Sequence, residues 1–422
     1  MRVLICSHTT GYQLRAFNDA ADALGIELVF ATDRCHKLED PWQDHAIAIR
    51  FHDPLASVDA IVDRARTEPI DGVIAVGDRP VVLAARAAEA LHVPWHSVAG
   101  ALASTDKRLS RAAIASAGLP SPPFAVIPSN FAPRPSNLGP RTSDLGYPVV
   151  LKPSGLSGSR GVIRVNDDRE FVAAFERIRA LLARPQIRAA RAKQEDHIVV
   201  ERYVDGAEFA IEGVLTAGRL QVFAIFDKPE PLDGPFFEET IYVTPSRLPA
   251  SVQERVADHV DRASRALGLW HGPLHAECRI ASDGTIYVLE VAARPIGGLC
   301  SRVLAFEGDA SLEEVLLRHA AGDTIEGVRV QSHGAAVMMI PIPRRGLLKG
   351  VAGEEAARAV PGVTDVRIAA RIGQLLEPLP EAGSYLGFIF ARGATPSDAE
   401  RSVKNAHIRL AFDVSRELYC LP

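Results

Sequence analysis

The segment His275–Arg294, HAECRIASDGTIYVLEVAAR, constrains the fold more than any other stretch of this chain. Two alternating runs meet at Asp283-Gly284, a strong short-range hairpin signal. With Asp283-Gly284 as a two-residue loop, Ser282 pairs with Thr285, and counting back sets Glu277 directly opposite Glu290. The two carboxylates then share a face with His275, Arg279 and Ala292. Ala276, Cys278, Ile280, Tyr287, Leu289 and Val291 fill the other face. Like charges opposed on neighbouring strands destabilise a sheet, so a pair of acids held there points to a cation between them.

A chain of 422 residues exceeds one ordinary core, and two or three domains are expected. Its apolar content of 47% and charged content of 23% are those of a globular protein. A net charge of −5 leaves no basic excess for a polyanion, which argues against nucleic acid. The five cysteines, Cys6, Cys35, Cys278, Cys300 and Cys420, are scattered and form no CxxC. They argue for a reducing compartment and against a structural zinc or disulfide framework. The N-terminal MRVLICS reads as a strand rather than a leader, and no apolar run approaches membrane-spanning length. A cytoplasmic location without membrane attachment is the expectation.

Strands at Val3–Cys6, Glu27–Ala31 and Asp71–Val76 alternate with helices at Leu14–Leu24 and Val81–Leu91, which predicts an open parallel sheet. The first βα turn, Ser7-His8-Thr9-Thr10-Gly11, lacks GxGxxG, so a dinucleotide is not indicated. The loop Gly77-Asp78-Arg79-Pro80 lies where open α/β sheets bind ligands, although its residues are also ordinary turn chemistry. A helix starts near Lys107 and runs through Leu109–Ala117. Pro120–Pro148 reads as a linker. Val149–Pro153 is a strand that enters a glycine-rich stretch, and Phe171–Ala183 is a helix. Strands at Ile198–Val204, Glu208–Leu215 and Leu220–Phe226 precede the loop Asp227–Thr240, the helix Val252–Leu267 and the hairpin. Strands and helices return after about Gln331.

Three motifs carry chemistry. The facing acids Glu277 and Glu290, with neither cysteine nor a second histidine on their face, suit a hard cation such as Mg²⁺. Lys152-Pro153-Ser154-Gly155-Leu156-Ser157-Gly158-Ser159-Arg160-Gly161-Val162 forms a loop whose amides can approach phosphate oxygens, with Lys152 as a point charge. It is not a Walker A loop. The third, Glu201-Arg202-Tyr203-Val204-Asp205-Gly206-Ala207-Glu208, gains meaning only beside the other two.

In this order the motifs resemble the ATP-grasp superfamily, firmly over Ser104 to Ser301. The resemblance implies an ATP-grasp fold, α/β overall and α+β in its central part. It would have an N-terminal α/β domain with an open parallel sheet over 1–103, an ATP-grasp domain over 104–330 with a lid at 152–162, and a C-terminal α+β ligase-type domain over 331–422. It also implies that Lys107, Lys152, Ser157, Gly158 and Gly161 serve the nucleotide phosphates, that Glu201, Tyr203 and Val204 hold adenine, and that Glu208 binds ribose. Glu277 and Glu290 would bind Mg²⁺, or Mn²⁺ in its place, and Arg294 would face the transferring phosphate. The family's usual E-x-N-x-R is here Glu290-Val291-Ala292-Ala293-Arg294, so a side-chain oxygen is missing at Ala292.

Within the superfamily, HAECR, ARPIGG and the tail VMMIPIPRRGLLKGV, PGVTDV and LPEAGSYLGFIFARG look like the L-amino acid ligases. That resemblance implies an ATP-dependent carboxylate–amine ligase that joins amino acids through an acyl phosphate and releases ADP and phosphate. Its partners would be small carboxylates and amines, and a homodimer is expected from open sheet edges. Arg294 and Lys152 would offset developing charge. His275 would orient the acyl phosphate or take the amine proton, or would simply be a hydrogen-bonded strand-end histidine. Gly297 and Gly298 would border the substrate. The loop DKPEPLDGPFFEET would either border the pocket, with Glu238 meeting an ammonium group, or be a solvated surface loop. The alternatives are a carboxylase or nucleotide-precursor ligase with the same ATP site, and a non-catalytic ATP sensor suggested by Ala292.

Overall fold

A computed structural model describes residues 1–8, 12–33, 46–142, 144–189 and 196–415. Thr9, Thr10 and Gly11 of the first βα turn, and Cys35 and Cys420, lie outside the described residues. The expected N-terminal parallel sheet is present, in the order Ala46–Ala48, Glu27–Thr32, Arg2–Ser7, Gly72–Val76. Its strands are apolar on both faces, as parallel strands flanked by helices must be. Leu4 and Cys6 enter one core, and Val3 and Ile5 enter another.

A second sheet is antiparallel, in the order Phe124–Pro128, His197–Arg202, Val149–Pro153, Ile163–Val165. Helix Asp168–Leu182 packs on it through Phe171, Phe175, Ile178 and Leu182. The strand Phe124–Pro128 and the helix Pro135–Thr142 fall inside Pro120–Pro148, expected to be a linker. The strand is a half-exposed edge strand, where proline is tolerated. The helix has Pro135 as its first residue, where no amide donor is needed.

The third sheet has eight strands and runs Ile286–Ala292, Gly272–Ile280, Ala207–Thr216, Arg219–Asp227, Ile241–Thr244, Gly334–Ile340, Gly387–Gly393, Val363–Ile368. It crosses residue 330, where the sequence suggests a division, through the pairing of Ile241–Thr244 with Gly334–Ile340. One face packs on helix Ala250–Leu267 through Ile211, Ala276, Cys278, Val288 and Val291. The other face carries Glu208, Glu212, His275, Glu277 and Arg279. A small sheet of Leu375–Leu376, Gly346–Ala352 and Ala411–Ser415 completes the C-terminal part.

Glu277 does face Glu290, although the route differs from the simple count. Ala281 bonds to Thr285 around a turn of Ser282, Asp283 and Gly284, so Ser282 does not pair with Thr285. Ile280 faces Ile286, and Cys278 faces Val288. A bulge between that pair and Glu277–Glu290 then restores the register. The turn is one residue longer than expected, and the bulge cancels the slip. Face assignments change between the two irregularities: Ile286 and Val288 enter the core, and Leu289 lies on the cleft side with Glu290. Tyr287 and Leu289 were expected on the opposite face, and the bulge is the reason they are not.

Gly206, at φ 100°, lets the turn after His197–Arg202 press on this hairpin; a Cβ there would lie 2.1 Å from the Ile280 carbonyl oxygen. Gly206→Ala is therefore expected to cost roughly 2 kcal/mol or more, read as a lowered urea-unfolding midpoint.

Candidate active site

A cavity of about 460 Å³ lies between the large sheet and the four-stranded antiparallel sheet. Lys107, Lys152, Ser157, Gly158, Glu201, Tyr203, Val204, Glu208, His275, Glu277, Glu290, Arg294, Gly297 and Gly298 all line it. Gly161 and Glu238 do not. The Gly161 amide instead donates to the Pro380 carbonyl at 2.8 Å, and a Cβ would meet Pro153. The half-buried Glu238 lies toward the Ile342 backbone, and its neighbours Phe237 and Glu239 line the cavity.

Register builds the polar floor. On neighbouring strands His275 faces Glu212 and Arg279 faces Glu208, while Glu277 faces Glu290 on the other side. His275 Nδ1 lies 3.0 Å from Glu212 Oε2, and the Ile296 amide also donates to Glu212. Burial disfavours a charged imidazole, but the Glu212 and Glu277 carboxylates override it and push His275 up to about 9. The two carboxylates thus favour the protonated ring, whose Nδ1 lies within hydrogen-bonding distance of Glu212.

The Lys228 ammonium lies 2.8 Å from Glu208, 2.5 Å from Glu239 and 3.0 Å from Glu277. Burial works against its charge, and the three carboxylates raise it well above the ordinary lysine value. Burial likewise opposes ionisation of Glu277, but Lys228 and His275 hold it well below the usual range. Glu239 moves the other way, to about 7, through burial and the Glu277 charge. Both oxygens of Glu208 are committed, one to Lys228 and one to Arg279 Nε at 2.8 Å. The nearest cation to Glu290 is Lys107, 3.9 Å away, and Lys107 itself donates to the Leu156 carbonyl at 2.7 Å.

The donor set fits a hard divalent cation: oxygen atoms only, from the acids Glu277 and Glu290, with Glu239 nearby. Oxygens of Glu208, Glu239 and Glu277 lie within 4.8 Å of one another. Ala292, buried and opposite His275, adds no side-chain oxygen.

The other end of the cavity is apolar. Val150, Val162, Tyr203, Phe237 and Leu289 line a slot, with the Tyr203 and Phe237 rings stacked at 6.5 Å. Arg279 fixes this end by donating to the Val204 and Leu232 carbonyls. Beside the slot, the Glu201 carboxylate is paired with Lys152 and, at 2.7 Å, with Arg111. The C-terminal segment closes the remaining side with Ser384, Tyr385 and Phe388, while Gly77 and Asp78 enter from the N-terminal sheet. The helix Asp168–Leu182 and the turn after it are tied to this segment by Arg177–Glu381 at 2.5 Å and Arg184–Glu377 at 2.6 Å.

Lys228, Glu239, Glu212 and Arg111 were not singled out in the sequence. Glu212 had a signal, an acid in the middle of the apolar strand AEFAIEGVLT. Lys228 and Arg111 meet their partners only through the tertiary fold.

Models of three consecutive domains match the chain: an ATP-grasp N-terminal domain over 18–95, an ATP-grasp domain over 145–303, and L-amino acid ligase C-terminal domain 2 over 338–415. An uncharacterized protein of Sinorhizobium fredii is 28% identical over 313 residues, 74% of this chain and 61% of its own length. Alanine–anticapsin ligase of Bacillus subtilis is 26% identical over 251 residues, 57% of this chain and 52% of its own. The chain thus spans about half to three-fifths of these curated relatives. The crystal structure of an L-amino acid ligase from Bacillus licheniformis superimposes with a TM-score of 0.82 at 27% identity, covering 98% of this chain and 99% of that one. No described helix is long and apolar enough to cross a membrane.

Glu201 provides a test of the electrostatics. Burial raises its pKa, but Arg111 and Lys152 outweigh burial and bring it down to about 2 from an ordinary 4.5. Its contribution to stability is thus present above pH 4.5 and is lost as the pH falls through about 2. Glu201→Gln leaves the buried Arg111 and the cavity-lining Lys152 without their carboxylate and is expected to cost about 3–5 kcal/mol at neutral pH. It should also flatten the acid limb of the unfolding free energy measured against pH.

Proposed function

Because the chain belongs to the ATP-grasp superfamily, we propose that it is an ATP-dependent carboxylate–amine ligase that joins two amino acids into a dipeptide. The observation that carries this reading is the Glu277–Glu290 pair, opposed across one hairpin within a cavity that also holds Lys107, Lys152 and Arg294. The L-amino acid ligase type of C-terminal domain, which contributes Tyr385 and Phe388 to the same cavity, supports amino acids as substrates.

Mg²⁺-ATP would supply the phosphoryl group that converts one substrate carboxylate into an acyl phosphate, and attack by the second substrate's amine would then release phosphate. Glu277 and Glu290 are the residues that would hold the metal. Lys107 and Lys152 offset phosphate charge, and Lys152 is kept in position by Glu201. His275, oriented by Glu212, would donate a hydrogen bond toward developing negative charge. The slot of Val150, Val162, Tyr203, Phe237 and Leu289 suits the faces of a purine. The protein needs no covalent nucleophile, since positioning and charge neutralisation carry the reaction. The lid, bonded to the C-terminal segment, keeps water from the acyl phosphate.

Phosphate or ADP release screened over pairs of amino acids, with mass spectrometry of the product, tests the reading; a dipeptide is the expected product. Glu290→Ala is expected to lower turnover at least about 100-fold, and full residual activity would refute the metal assignment. Bicarbonate-dependent ADP release would transfer the chain to the carboxylase class.

A further inference from the structure

Arg294 lies two residues beyond the strand Ile286–Ala292, so side-chain bonds must fix its direction. Its Nε donates to Asp78 Oδ1 at 2.8 Å and its Nη2 to Asp78 Oδ2 at 3.3 Å, while Nη1 donates to the Pro295 carbonyl at 3.0 Å. A guanidinium has five N–H donors; with one hydrogen used in each bond, two remain. We propose that Asp78 is the positioning residue for phosphoryl transfer: it grips one edge of Arg294 and leaves those two hydrogens for the reacting oxygens. The inference rests on the ligase reading and adds to it a residue from the N-terminal sheet.

Asp78 is itself held firmly. It follows Gly77, whose φ of 89° turns the chain out of the strand Gly72–Val76. Its carbonyl accepts the Val81 amide at 3.2 Å at the start of helix Val81–Leu91. On its other side Arg79 donates to Asp33 at 3.0 Å and stacks 4.7 Å above the Phe51 ring. A side chain fixed from both directions can orient a flexible partner at little entropic cost. The groups that face the Asp78 carboxylate, besides Arg294, are the Ser157 hydroxyl, Lys107 and Arg160, and Glu290 and Glu212 face Arg294. Asp78 therefore joins the N-terminal sheet, the lid and the hairpin at the point where charge moves.

The test uses the full chain. In protein labelled at arginine and free of nucleotide, the Arg294 Nε–H resonance, assigned by its loss in R294K, is expected to be protected from exchange. Asp78→Asn is expected to abolish that protection, and an unchanged resonance overturns the proposal whatever the substrates prove to be. With the amino-acid pair that gives fastest ADP release, D78N is expected to lower kcat about 100-fold while KM for ATP changes less than about threefold. D78N/R294K should be no slower than R294K alone, because Asp78 acts through Arg294. Multiplying deficits, or an effect confined to KM for ATP, overturns the assignment. Asp78→Glu guards against misfolding of D78N: it should recover both protection and part of kcat, and recovery of neither overturns the role. If no pair releases ADP from the unaltered protein, the ligase reading fails while the resonance comparison still decides Asp78.

Discussion

Like charges set opposite one another in a buried sheet cost free energy, and the large sheet is organised around offsetting that cost. Glu208, Glu212, Glu277 and Glu290 share one face of three adjoining strands. Each has a cation: Arg279 and Lys228 for Glu208, His275 for Glu212, Lys228 for Glu277, Lys107 for Glu290. The partners come from the hairpin, from the end of a neighbouring strand and from a helix outside the sheet. Glu290 is the acid with the most distant partner, Lys107 at 3.9 Å. Four basic groups stand against these four acids, so a divalent cation bound there would have to displace at least one of the ion pairs.

Much of this was legible in the chain before any coordinates. Alternation around Asp283-Gly284 located both acids, and the N-terminal strands announced themselves as short apolar runs between helical segments. The hairpin count reached the right pair through two errors that cancel, a longer turn and a bulge, and neither leaves a mark in residue spacing. That is why Leu289 was assigned to the wrong face although Glu290 was not. Phe124–Pro128 escaped notice because an edge strand need not be apolar and can contain proline. Lys228 is invisible for a different reason: a lysine beside a proline-rich loop reads as solvated until the fold buries it among three acids.

The loop Asp227–Thr240 borders the cavity as one of its two readings had it, through Phe237 and Glu239 rather than Glu238. A slip of one residue matters here because side chains in an extended segment alternate sides. Glu239 reaches the Lys228 network and accepts the Tyr242 hydroxyl at 2.6 Å. It thereby connects Tyr242 to the lysine that also holds Glu208 and Glu277.

The four-stranded sheet and its helix Asp168–Leu182 are attached to the C-terminal segment largely through charge. Two arginine–glutamate forks and one backbone bond hold the two together, and Arg177 is partly open to solvent. Arg177 also lies 4.9 Å over the Phe236 ring, so the attachment combines ion pairs, which dissolved electrolyte screens, with an aromatic contact that it does not. Added electrolyte therefore weakens the ionic part of the attachment and leaves the rest in place.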